Sequence, residues 1–94
     1  MNLNASIFIM RALANQHRFK VYQTIVHAGQ LTVSQIVRRT GFKQPEVSHC
    51  LSHLTRVGLI TRDKVAQRIY SQATWSISYV LQKFSNIYRR RRRE

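Results

Sequence analysis

Apolar residues recur at three- and four-residue steps along most of the chain, and glycines mark where the runs stop. Residues 5–14 place Ile7, Met10, Leu13 and Ala14 on one face, which predicts a first helix. Asn15 suits the N-cap of a second helix, whose apolar stripe is Phe19, Tyr22, Ile25 and Val26 and whose end is Gly29. Within residues 31–37, Thr32 and Gln35 have the spacing of a capping box, so a short third helix starts there and ends before Gly41. Gln44 and Pro45 open a fourth helix. Proline is well placed in a first turn, where its missing N–H would have had no helical partner. Val47, Cys50, Leu51 and Leu54 form the buried stripe of that helix, and Gly58 closes it.

After Gly58 the period shortens. Residues 59–63 and 68–72 partly alternate, with Ile60, Ile69 and Tyr70 among them, and residues 64–67 lie between as a turn. This predicts a β-hairpin. From about Thr74 the helical period returns with Ile77, Val80, Leu81, Phe84, Ile87 and Tyr88, predicting a last helix of about 15 residues.

A short helix, a tight turn at residues 41–44 and a second helix make a helix-turn-helix, and a hairpin directly after it is a wing. The expected fold is mainly α: a winged helix-turn-helix of five helices and a two-stranded wing. Residues 1–88 would form one DNA-binding and dimerisation domain, and 89–94 an arginine-rich tail. The apolar faces of the first and last helices exceed what so small a core can cover. That surplus, on Ile7, Met10, Ile77, Val80, Leu81 and Phe84, points to a homodimer interface.

Charge adds a partner to this picture. The 94 residues include 16 Lys and Arg against 3 Asp and Glu, a formal net charge of +13. Arg89–Arg93 with Glu94 contribute +4, so residues 1–88 still carry +9. The body as well as the tail should seek a polyanion, of which nucleic acid is the commonest. The hydrophobic fraction of 44% is that of a folded domain rather than a polybasic disordered segment. Size and the scarcity of acids argue against an enzyme. One cysteine makes no internal disulfide. The apolar stretch at residues 5–10 is cut off by Arg11, too short for a membrane span or signal peptide, so a cytoplasmic location is expected.

On the fourth helix, the face opposite the apolar stripe carries Glu46, His49 and His53, flanked by Ser48 and Ser52, with Gln44 at the N-terminal end. Gln reads adenine bidentately, and Ser and His can bond base edges or phosphates. An ordinary solvent face is the competing reading. Lys43 and Arg56 bracket the helix as phosphate clamps, with Arg38 and Arg39 as weaker candidates. Arg62, Lys64, Gln67 and Arg68 make a basic wing suited to phosphate or minor-groove contact, or else a solvated turn. His49 and His53 have an i,i+4 spacing that can hold zinc, but no third ligand is near in sequence. Cys50 beside His49 has the makings of a nucleophile pair, yet it lies on the buried stripe as a small hydrophobe. Trp75, Tyr79, Lys83, Tyr88 and the five arginines also leave open a membrane-surface segment.

Four stretches resemble the ArsR/SmtB family of winged-helix repressors: residues 12–18 (ALANQHR), 31–37 (LTVSQIV), 44–51 (QPEVSHCL) and 54–60 (LTRVGLI). The resemblance implies a homodimer paired through its first and last helices, which binds double-stranded DNA at an operator and releases it on a signal. It also locates the family's usual metal sites. The cysteine positions of the third helix are Thr32 and Ser34 here, whose hydroxyls are poor ligands for soft metals. The last helix has none of the family's Asp, His or Glu ligands. The family's DNA-contacting His falls on Cys50, with His49 just before it. The resemblance thus implies a repressor without metal sensing at those sites and without a cofactor. An architectural nucleic-acid-binding protein that senses nothing is one alternative, and a basic membrane-surface or partner-binding module is the other.

Overall fold

The computed structural model describes residues 3–66 and 69–72. In chain order the elements are α1 (Leu3–Leu13), α2 (Gln16–Ala28), β1 (Gln30–Thr32), α3 (Val33–Thr40), α4 (Gln44–Arg56), β2 (Ile60–Arg62) and β3 (Ile69–Gln72). Four helices and a three-stranded antiparallel sheet of order β1-β3-β2 are thus present among the described residues. The fifth helix expected from about Thr74 lies outside them, as do Ile77, Val80, Leu81 and Phe84.

Local chemistry sets the helix ends. Asn15 caps α2 by accepting the Arg18 N–H at 3.0 Å. Arg18 itself reaches back across the α1–α2 corner, where its Nε–H donates to the Ala12 carbonyl at 3.0 Å. One side chain therefore satisfies an orphan carbonyl of α1 while standing in the first turn of α2. Thr32 and Gln35 form the complete capping box of α3: Thr32 Oγ1 accepts the Gln35 N–H at 3.2 Å, and Gln35 Oε1 accepts the Thr32 N–H at 2.9 Å. Thr32→Ala is expected to lower stability by about 1 kcal/mol, read as a shift of the urea midpoint. At Gly41, the C-cap of α3, φ is +76°, a left-handed conformation that lets the chain reverse in three residues before α4.

The core is one cluster. Its largest fully buried side chains are Val21, Ile25, Ile36, Val47, Leu51, Leu54, Leu59 and Ile60, with Ile9, Ala12, Leu13, Tyr22, Leu31, Cys50 and Tyr70 completing it. Each large one contributes about 1.5–3 kcal/mol through burial. The stripe predicted for α4 is buried as expected. Two other expected stripes differ in detail. In α2 the buried residues are Val21, Tyr22 and Ile25, while Phe19 is 43% exposed. In α1 the core takes Ile9, Ala12 and Leu13, so Ile7, Phe8 and Met10 stand exposed and Ala14 lies beyond the helix end.

The expected two-stranded wing is part of a larger sheet. β2 and β3 pair antiparallel with Thr61 opposite Ser71, and β3 pairs on its other edge with β1, Leu31 opposite Tyr70. Three residues, of which Thr32 is already the N-cap of α3, are too few for period-two alternation to show, so β1 is invisible to pattern reading. The Gln72 amide donates to the Tyr22 hydroxyl at 2.9 Å and ties β3 to α2. Burial pushes the Tyr22 phenol's pKa above its usual range, and the Gln72 bond opposes that shift without cancelling it.

Candidate nucleic-acid interface

The α3–turn–α4 unit is held from behind. Val47, Cys50, Leu51 and Leu54 anchor α4 to the core, and Ile36 anchors α3. In the turn, the Thr40 hydroxyl donates to the Ile36 carbonyl at 2.7 Å and accepts the Phe42 N–H at 3.2 Å, which fixes the direction in which α4 leaves. Pro45 sits in the first turn of α4, behind Lys43 as N-cap.

With that face inward, Lys43, Gln44, Ser48, His49, Ser52 and Arg56 are all exposed. They run from the N-terminus of α4 down one side to its last turn. Helical spacing alone puts Glu46 and His53 with them. Both are instead half-buried on the flank facing α2. The Glu46 carboxylate lies against His17 Nδ1, and the His17 ring packs against Phe42 at 4.7 Å between centroids. Partial burial, then Arg18, Arg56 and His49, push the His53 imidazole's pKa down and favour its neutral form. Burial is also the main reason the Cys50 thiol is pushed up, with the Glu46 carboxylate adding and Arg18 opposing. Cys50 is 5% exposed and held as a thiol, the opposite of what a nucleophile needs.

The wing carries Arg62 and Lys64 on its exposed side, with the Arg62 guanidinium 5.8 Å from the centre of the Tyr70 ring. Gln67 and Arg68 lie outside the described residues. The turn is organised by Asp63, whose Oδ1 accepts the N–H groups of Val65 at 2.8 Å and Ala66 at 2.6 Å. Taking residues 64–67 alone as the turn leaves Asp63 out, although Asp immediately before a turn is a signal for it. Arg38 and Arg39 are exposed in the last turn of α3, where cations favour the negative end of the helix.

Three arrangements bear on the remaining expectations. The Thr32 hydroxyl is committed to the capping box, and Ser34 is exposed. Among the described residues no group of three or more His, Cys, Asp or Glu side chains gathers to hold a metal. No helix among them is long and apolar enough to cross a membrane.

Known proteins match this architecture. The family model described as "Sugar-specific transcriptional regulator TrmB" matches residues 15–76. The "Putative arsenical resistance operon repressor ArsR" of Halobacterium salinarum is 36% identical over 63 residues, which is 66% of this chain and 49% of that protein. The chain therefore spans about half the length of this curated relative. Among solved structures, NolR from Sinorhizobium fredii superposes with a TM-score of 0.71 at 27% identity, over 90% of this chain and 85% of its own. HlyU from Vibrio cholerae gives 0.72 at 21% identity, over 94% and 98%. The latter likeness is one of fold alone. Sequence family and fold agree on a winged-helix, DNA-binding type whose members are regulators rather than enzymes: the chain belongs to the TrmB family of transcriptional regulators, with ArsR-type repressors among its relatives.

Proposed function

We propose that the protein is a repressor that binds a palindromic operator as a homodimer and does not sense metals at the sites usual in ArsR-type relatives. The observation that carries the DNA-facing part is the exposed row Lys43, Gln44, Ser48, His49, Ser52 and Arg56 on a helix anchored from behind. Gln44, Ser48 and His49 read base edges, because the N-terminal part of a recognition helix enters the major groove deepest. Lys43, Arg56, Arg62, Lys64, Gln67 and Arg68 hold phosphates, and Arg89–Arg93 add sequence-independent grip. The homodimer is supported by the exposed Ile7, Phe8 and Met10 on α1, and its other half is the stretch with Ile77, Val80, Leu81 and Phe84. Two α4 helices would then sit in successive major grooves roughly 34 Å apart. Metal blindness is supported by Thr32 and Ser34 in place of thiolates. Repression follows the name of the Halobacterium relative.

Selection of bound fragments from random duplex DNA tests the reading. A palindromic consensus with half-sites one helical turn apart is the expected result, and a featureless pool would favour the architectural alternative. On the selected site, alanine at Gln44, Ser48 or His49 should each cost about 1–3 kcal/mol where that residue bonds a base, and little on random DNA.

A further inference from the structure

The sequence has only three acids, and two of them, Glu46 and Asp63, are among the described residues. Asp63 is engaged by two backbone N–H groups in the wing turn. Glu46 stands in the first turn of α4, two residues after Gln44, where an anion would meet approaching phosphates or base edges. A glutamate at this helical position can fold back onto the N-cap backbone N–H, but the reciprocal half of such a box is missing here, since the N-cap is Lys43 with no side-chain cap. The carboxylate instead reaches sideways to Nδ1 of His17 on α2. The His17 ring is seated against Phe42 of the helix-turn-helix turn, tilted by 52°. With side chains 54% and 34% exposed, the pair is wet, so it serves to direct the carboxylate rather than to support the core.

We propose that His17 is a positioning residue for DNA binding: it ties the Glu46 carboxylate to the α2 side, keeping the anion away from the row Gln44, Ser48 and His49. This rests on the reading that the row meets DNA. A released carboxylate there would repel the phosphates of any sequence. Turned to the groove, it would also accept from the cytosine amino group, adding a preference the wild-type helix withholds.

Wild type, His17→Ala, His17→Arg, Glu46→Gln and the double variant His17→Ala/Glu46→Gln would be titrated against the selected duplex and a random duplex, with the melting temperature of each recorded. His17→Ala should bind both duplexes roughly two- to fivefold more weakly, the range of one exposed charge pair. Glu46→Gln should bind at least as tightly as wild type, the double variant should match Glu46→Gln, and His17→Arg should restore affinity. A role that merely propped the turn would not be rescued by removing the carboxylate. If His17→Ala fails to fold, Glu46→Gln decides alone, since weaker binding by that variant overturns the proposal. Wild-type affinity in His17→Ala, or a double variant as weak as His17→Ala, also overturns it while leaving the DNA reading intact. Wild type that binds no duplex overturns both.

Discussion

Ile36→Ala is expected to destabilise the domain by about 2–5 kcal/mol, seen as a lower urea midpoint with an unchanged slope. α3 has eight residues, too few to persist as an isolated helix, and Ile36 is its one fully buried side chain. Val33 and Val37 pack only partly against the core beside it. Total stability of a small domain is about 5–15 kcal/mol, so the loss is a large fraction. Because α3 supports α4 through the turn at Gly41, DNA affinity should fall in step with the unfolded fraction. A cost under about 1 kcal/mol would mean that the capping box and neighbouring helices hold α3 without its anchor.

Deleting residues 89–94 should weaken binding to every duplex and flatten its salt dependence. The slope of log affinity against log salt falls by about 0.9 for each phosphate left unneutralised, so removing five arginines could lower it by as much as roughly four to five. The ratio between the selected and random sequences should stay constant, since phosphates carry no sequence. The opposite result, lost discrimination with undiminished grip on random DNA, would mean that the tail enters a groove and reads it.

Caps and stripes made much of this molecule legible from its residues. Asn15, the Thr32–Gln35 box and the Val47–Cys50–Leu51–Leu54 stripe are short-range signals, and each stands where the spacing places it. Long-range geometry was not legible. β1 exists because β3 lies alongside it, and three residues carry no period of their own. Phe19 shares a stripe with Tyr22 and Ile25 by spacing, yet it stands exposed while Val21, off that stripe, is fully buried. Glu46 and His53 read as groove-facing on a helical wheel, whereas His17 and Arg18, some thirty residues earlier, define a second inward flank. Helical spacing finds one buried face; it does not reveal a polar neighbour on the next.

The central place of β3 in the sheet separates two properties of the wing. Residues 69–72 are held by β1 on one edge, by β2 on the other, and by the Gln72–Tyr22 bond at the end. A one-residue insertion there would turn each following side chain to the opposite face and take Tyr70 out of the core. Residues 63–66 are turn rather than strand, and Val65 among them is 94% exposed. If the wing holds phosphates as proposed, residues added at this tip would lengthen its reach while leaving the β2–β3 register in place. On that proposal reach varies by insertion at the tip alone, and the wing's grip changes without refolding α4.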